Sequence, residues 1–364
     1  MIEGRNKMKN KKRNIREVLK EVVCMRLLKI IIFTLFVFTL QLSTSNQQLC
    51  YASFEDIGVG ARPLGMGNAF CAIADDANAF LYNPAGLAQL ERLQISTMYA
   101  NLYPILSDGS GISNNFISIA YPIPVDILMP ASFPLWLTKD GWGTIGFSWF
   151  NLGTSSDPLR SASTYKENTY IFSYAKNLDL FMLGLSMKIL TKEYGQNYWT
   201  SMNPVFANGC NAYGLGFDVG ALYKMPGEKL TLGLQLKDIN QPDIHLVYAS
   251  PVPLTFRFGA AYKLVPVWNF DRITASSDFT VRDSDFKLYS GIEGWLIDKN
   301  IALRFGFGLG SGFSNIALGA SYKLTEEMYN SDFRLDYAFV YPFGAQPTGG
   351  THRISLTMGL GDTK

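Results

Sequence analysis

The stretch Ile301–Leu324, "IALRFGFGLGSGFSNIALGASYKL", alternates with a period of two on both sides of a glycine-rich turn. In its first half Ile301, Leu303, Phe305, Phe307 and Leu309 share one face, while Arg304 and three glycines share the other. In its second half Ile316, Leu318, Ala320 and Tyr322 oppose Asn315, Gly319, Ser321 and Lys323. Side chains two apart lie on the same side of a β-strand, so the pattern is that of two half-apolar strands. "GLGSG" at 308–312 follows one strand and precedes another, so it reads as a turn and not as a phosphate loop.

The same alternation recurs outward from this hairpin. It divides the chain into strand segments at 93–100, 115–123, 142–151, 168–176, 180–190, 211–224, 229–238, 254–264, 271–281, 285–296, 300–309, 314–324, 332–341 and 352–360. In "LTFRFGAAYKL", Leu254, Phe256, Phe258, Ala260 and Tyr262 oppose Thr255, Arg257, Gly259 and Lys263. In "DFRLDYAFVY", Phe333, Leu335, Tyr337, Phe339 and Tyr341 oppose Asp332, Arg334 and Asp336. Charged residues are 17 % and aromatic residues 14 %, with 33 glycines, a composition for many strands and tight turns rather than for a helical enzyme.

A soluble sandwich also alternates, with its apolar face toward a core. Two features favour a membrane instead. The strands number fourteen, an even count, and most have about the ten-residue length of strands that cross a bilayer. The N-terminus also has the form of a secretory signal: a basic flank, an apolar run from Ile30 to Leu40, and the small-x-small end Cys50-Tyr51-Ala52. That run is too short for a spanning helix. Backbone in lipid must satisfy all its hydrogen bonds internally, so a strand protein crosses only as a closed barrel. The fold expected is therefore all-β, a transmembrane antiparallel up-and-down barrel with apolar side chains toward lipid.

Residues 1–52 also account for the basic balance of the chain. The whole sequence carries +2, but the remainder has 22 Lys and Arg against 27 Asp and Glu. Nothing in that balance points to nucleic acid. Met25 is a candidate start for the signal, whose leading flank is otherwise long. Cys50 stands where a lipoprotein acceptor could, but Leu49 precedes it instead of a small residue. Cys71 and Cys210 are able to pair in an oxidising compartment. The plainer expectation is two unpaired apolar residues.

Further details orient the barrel. Tyr223-Lys224, Tyr262-Lys263 and Tyr322-Lys323 close the sixth, eighth and twelfth segments, which puts all three tyrosines at the periplasmic interface as part of an aromatic girdle. Connections after the fourth, sixth and tenth segments are short. Those after the first, third, fifth and seventh are longer, as expected for the external side. "PIPVDILMPASFPLWLTKDG", after the second segment, breaks this rule; it either lies along the membrane surface or hides a further strand. "THRISLTMGL" resembles the C-terminal signal of outer-membrane barrels, with Leu360 where an aromatic residue is usual.

Residues 53–92 do not alternate. "GVGARPLGMGNAF" is rich in glycine and suited to close backbone approach. Asp75 and Asp76 are positioned to cap a helical turn through Ala77–Leu81. Asn83 caps a second turn, with Pro84 at the favoured first position, then Ala85, and Gly86 allows a tight approach. Such a segment ahead of a barrel either folds into the lumen as a plug or serves as a periplasmic cap.

The wording "GVGARPLGMGNAFCAIADDANAFLYNPAGLAQL" resembles the N-terminal hatch of the FadL-type outer-membrane transporter superfamily, and within it the PorV/PorQ-like branch. Arg62, Gly65, Gly67, Asp75, Asp76, Asn83, Pro84, Ala85 and Gly86 carry the likeness, with Ala61, Ala69, Phe70, Ala74 and Ala77. It spans about thirty residues; the remainder matches only as a barrel of suitable size. The resemblance implies a hatch at 53–92 filling a fourteen-strand barrel at 93–364 in the bacterial outer membrane. In the FadL branch such a barrel passes hydrophobic molecules. In the PorV branch it shuttles cargo for a type IX-like secretion system. Expected partners are outer-membrane lipid, hydrophobic or amphipathic small molecules, the barrel-assembly machinery and, on the second reading, secretion components.

No constellation for catalysis accompanies this. The two histidines, His245 in a loop and His352 on the last strand, have no adjacent nucleophile pattern. No Cys/His cluster has metal-ligand spacing, and no cofactor fingerprint lies between strand and helix. The carboxylates of "NFDRITASSD" read as lumen residues. Three functional readings follow: a hatch-gated channel for hydrophobic or amphipathic molecules, a secretion accessory, and a permanently closed structural barrel. The first is the expectation adopted, with no catalytic, metal or cofactor site.

Overall fold

A computed structural model describes residues 54–104, 111–124, 141–154, 164–227, 229–267, 269–296, 300–311, 313–326, 330–343 and 349–361. The signal at 1–52 lies outside them, as do residues 125–140 of the Pro-rich connection.

The alternating segments all form strands: β1 (Leu93–Leu102), β2 (Ile112–Ile123), β3 (Gly143–Thr154), β4 (Tyr165–Leu178), β5 (Phe181–Tyr194), β6 (Asn211–Lys224), β7 (Leu230–Lys237), β8 (Thr255–Leu264), β9 (Phe270–Arg282), β10 (Asp285–Leu296), β11 (Ile301–Gly310), β12 (Phe313–Glu326), β13 (Ser331–Pro342) and β14 (Thr351–Leu360). Each pairs antiparallel with the next, and β1 closes on β14 with Leu93 opposite Leu360. The result is a closed fourteen-strand barrel with no free edge. β2 pairs directly with β3, so no further strand enters the ladder between them.

The alternation read from sequence becomes the two faces of the wall. Ile117, Leu185, Leu303, Phe305, Leu318, Leu335 and Ile354 point outward and are exposed. Ser118, Ser186, Arg304, Asp336 and Ser355, immediate neighbours of these in the chain, point inward and are buried. A polar interior beneath an apolar exterior reverses the soluble pattern and suits a wall facing lipid. Among the described residues no helix is long and apolar enough to cross a membrane.

The end holding Leu93 and Leu360 is called the lower end here, and the opposite end the upper. The Tyr-Lys pairs of β6, β8 and β12 all fall at the lower end. Tyr322 points outward and is half exposed. Long connections at 195–210 and 238–254 lie at the upper end, but the one at 124–142, longer than either, joins β2 to β3 at the lower end. Those after β9 and β11 are tight, at 283–284 and 311–312, although they too lie at the upper end, so the expected contrast between the two ends holds for only part of the barrel.

Candidate functional site

The inward side chains are buried because residues 54–92 fill the space they enclose. This internal segment holds α1 (Ala61–Gly65), α2 (Ala79–Tyr82) and a 3-10 turn at Pro84–Gln89. Helices this short have little stability alone. Packing and side-chain bonds to the wall hold them in place.

The wall meets the segment through inward-facing glycines. At Gly184 an added Cβ would overlap Ala85, at Gly233 it would meet the Cys71 carbonyl, and at Gly306 it would overlap Gly67 and Met66. Backbone therefore lies directly on backbone, which only a glycine face permits. Within the segment Gly67 has φ +63, and Gly86 presses on the Ala74 carbonyl. Gly65 lies against the Cα of Gly319.

Charge fixes the side against β10–β13. Arg62 of α1 makes a paired contact with Glu293 of β10, Nε to Oε2 at 2.8 Å and Nη2 to Oε1 at 2.9 Å. Its Nη1 donates to Asp75 at 2.5 Å and to Asp76 at 2.9 Å. Glu293 also accepts from Arg304 Nε at 2.7 Å. Arg334 joins Asp76 at 2.7 Å to Asp336 at 2.8 Å. Arginine suits such a site because its rigid fork serves several carboxylate oxygens. Burial alone would raise the Asp76 pKa, but Arg334 and Arg62 outweigh it and hold the carboxyl well below the usual range.

This corrects one expectation. Asp75 and Asp76 do not cap a turn over Ala77–Leu81. The helix starts at Ala79 behind Asn78, which makes no side-chain cap bond. Asp76 Oδ1 does accept the Asn78 N–H at 2.9 Å, a local turn, but both carboxylates are taken by arginines. Leaving a buried guanidinium uncompensated would cost far more than one cap contributes. Asn83 does cap the next turn: its side chain accepts from the Ala85 N–H at 3.1 Å, with Pro84 first in the turn. The Asn83 amide also donates to the carbonyls of Cys71 and Ala221, tying the turn to β6.

A second anchor lies on β8 and β9. Asp278 of β9 accepts the backbone N–H groups of Phe70 and Cys71 at 2.9 and 2.8 Å. Of the carboxylates in "NFDRITASSD", Asp278 thus faces the lumen, whereas Asp271 is exposed beside a register shift between β9 and β10. Arg257 of β8 is wholly buried, with the Tyr82 and Tyr289 rings 5.2 and 5.5 Å away. Tyr82 accepts the Val59 N–H and donates from its hydroxyl to the Val59 carbonyl. Burial pushes the Tyr82 phenol upward, so it stays neutral. Burial likewise pushes the Cys71 thiol up; Cys71 and Cys210 are both free and unpaired.

The upper part of the β3–β7 side is built differently. There a small cavity is lined by Phe54–Val59, Leu81, Phe150, Thr169, Leu190, Lys188, Lys237 and Asp238. Its volume is about 30 Å³, and its surface is mostly hydrocarbon, with Lys188 and Lys237 among the carboxylates of Glu55, Asp56 and Asp238. The adjoining wall is the weakest part of the described barrel. β6 pairs with β7 only from Val219 to Lys224. Above that, Asn211–Asp218 faces the connection 238–254, where Asn240 stands in for a strand: its side chain accepts the Phe217 N–H and donates to the Leu215 carbonyl. Lys188 secures this junction, 2.7 Å from both Asp218 and Asp238 and almost fully buried. Ile244 of the connection packs inward on Leu190, Ala212 and Val252.

None of these charged anchors on the wall was singled out as a site residue in the sequence. The available signal was a charged residue on the glycine-bearing face of an alternating strand, as at Arg257 and Arg304. His245 pairs with Asp243 in the 238–254 connection, and His352 meets Tyr337 on the outer face. Among the described residues no group of three or more His, Cys, Asp or Glu could hold a metal.

No family model matches the chain, and no curated protein matches it. Among solved structures it is similar to the monoaromatic hydrocarbon channel TodX in a deltaS2 mutant form. The TM-score is 0.50, with 11 % identity over 84 % of this chain and 98 % of that one. A Pseudomonas aeruginosa FadL homologue aligns with TM-score 0.49 and 13 % identity, over 81 % of this chain and 96 % of that one. The Acinetobacter baumannii outer membrane protein Omp33 aligns at 0.38 and 8 %, over 74 % and 97 %. At this identity the likeness to the channel concerns the shared barrel fold.

Proposed function

We propose that this protein is an outer-membrane barrel that passes hydrophobic or amphipathic small molecules around its internal segment. The observation that carries the reading is the upper cavity beside the short β6–β7 ladder. Its surface is mostly hydrocarbon, and the connection 238–254 covers the adjoining wall. Residues 54–92 act as a hatch whose Ala61–Asn68 part stays fixed while the Phe54–Val59 part yields. The cavity at rest is small, so passage needs these residues to move aside. Burying an acyl or aromatic group there would stabilise binding by about 0.8 kcal/mol per CH₂. That the channel of similar fold conducts monoaromatic hydrocarbons is in keeping with this class of cargo.

The lower end then faces the periplasm, and Arg62, Gly65, Gly67, Asp75, Asp76, Asn83, Pro84, Ala85 and Gly86 hold the hatch in register. The test is reconstitution in liposomes with a lipophilic fluorescent probe. Saturable binding and faster probe entry than in empty liposomes support the reading. Protein that neither binds nor passes any such probe overturns it.

The secretion-accessory reading rests on the hatch wording and on exposed apolar side chains of the upper connections. Tyr198 and Met202 are each 68 % exposed and Tyr248 is 78 % exposed. Recovery of secretion components in pull-downs would favour it; recovery of lipid and assembly factors alone would count against it.

A further inference from the structure

The Tyr-Lys pairs at the lower end have a second half that the transport reading leaves unused. Tyrosine and lysine are adjacent, so when the tyrosine points to lipid the lysine points into the lumen. On β8, Arg257, Gly259 and Ala261 are buried against the internal segment, and Lys263 is next on that same face. On β6, Gly220 and Leu222 are buried, and Lys224 follows them. On β9, Arg272 shares the inward face with Thr274, whose partner across the ladder is Glu293.

These three residues line one cavity of about 120 Å³ at the lower mouth. Holding one water takes about 10–15 Å³, so a headgroup-sized ligand fits. The rest of the lining is Arg62, Ala72, Ile73, Asp75 and Gln89 from the internal segment, and Thr231, Ala261, Thr274 and Glu293 from the wall. Among these described groups, four cations face two carboxylates. Both carboxylates are bound by Arg62, and Glu293 also by Arg304. Lys224, Lys263 and Arg272 thus converge on its β6–β9 side. Arg272 is preorganised as well. The Trp295 ring lies 5.4 Å from its guanidinium carbon. Stacking occupies the face of the guanidinium and leaves its in-plane N–H fork to meet a planar or tetrahedral oxyanion. The hydroxyls of Thr231 and Thr274 add neutral donors at the same wall.

We propose that this lower cavity is a binding site for a single oxyanionic group, a phosphate or carboxylate, held by Arg272, Lys263 and Lys224. The site lies on the opposite side of the internal segment from the upper cavity and stands whether or not hydrophobic cargo passes. The group comes either from a free anion of the surrounding solution or from the headgroup of an amphiphile.

The experiment is isothermal titration of the folded protein in neutral detergent at constant ionic strength, with inorganic phosphate, acetate and octyl phosphate as probes. Saturable phosphate or acetate binding is expected. Arg272→Gln and Lys263→Gln are each expected to weaken it about tenfold, and Arg272→Lys to restore part of the loss. Lys323→Gln should leave it unchanged, because Lys323 belongs to a Tyr-Lys pair at the same end but pairs with Asp332 outside the cavity. Heat-dependent gel mobility confirms that each variant is folded. Octyl phosphate binding tenfold or more tightly than phosphate identifies an amphiphile headgroup as the source, and equal affinity identifies the free anion. Failure of all three probes to saturate overturns the site, as does binding that Arg272→Gln and Lys263→Gln leave unaltered. Because no flux is measured, this outcome is separate from the fate of the transport reading.

Discussion

Two adjacent parts of the internal segment are held with different closeness. Ala61–Asn68 lies against β10–β13, backbone on glycine, with Arg62 shared among Glu293, Asp75 and Asp76. Phe54–Val59 lies beside a cavity and is held by longer ion pairs, Glu55 to Arg282 at 3.2 Å and Asp56 to Arg257 at 3.7 Å, while the wall next to it depends on one lysine and one asparagine side chain. On the proposed reading, a fixed part and a yielding part in one segment would let a filled lumen admit a ligand without losing its plug. In general, low-stability regions are where ligand-linked motion occurs.

The largest effect should come from removing the charge at the fixed part. Arg62→Met leaves three carboxylates facing a single guanidinium fewer, and breaking a buried ion network costs about 3–5 kcal/mol. Urea unfolding of the reconstituted barrel should show that loss, together with increased ion leakage. A midpoint and conductance equal to the parent would remove the distinction between the two parts. Gly306→Ala comes next. Its Cβ would overlap Gly67 and Met66, and overpacking of this kind costs about 1–3 kcal/mol. The same leakage assay should respond, with barrel closure intact by heat-dependent mobility.

Lys188→Met acts on the yielding part. It strands Asp218 and Asp238, so amide exchange across 238–254 should quicken about tenfold, equivalent to ~1.4 kcal/mol. Exchange at Ala61–Asn68 should be unchanged. Adding Asp218→Asn and Asp238→Asn to this variant should slow the exchange again, since buried carboxylates without a counter-charge are the cause. Asn83→Ala comes last because it removes only neutral hydrogen bonds, the cap on the Ala85 N–H worth about 1 kcal/mol and the amide bonds to the Cys71 and Ala221 carbonyls. It should loosen the turn at Pro84–Gln89 and raise leakage slightly while assembly proceeds. Failed assembly would instead make the segment a folding element.

The wall was legible in the sequence because register in a two-faced strand is written locally. β6 and β10 have the bounds that alternation alone gives, 211–224 and 285–296. The cap at Asn83 was legible for the same reason, since its partner Ala85 is two residues away. The anchors were not. Arg62 and Glu293 are 231 residues apart, and nothing in either neighbourhood names the other. Asp75 and Asp76 misled because a local rule, capping, competed with a long-range charge that only the closed barrel supplies. Gly306 of "IALRFGFGLG", like Gly184 and Gly233 on other strands, was the missed clue: an inward position without a side chain implies that another backbone lies against it.

The most direct test of a fixed and a yielding part is hydrogen exchange of the liposome-reconstituted protein with and without a saturating lipophilic probe. The account predicts altered exchange at Phe54–Val59 and across 238–254, with Ala61–Asn68 unchanged. Altered exchange at Ala61–Asn68 with Phe54–Val59 unaffected would contradict it.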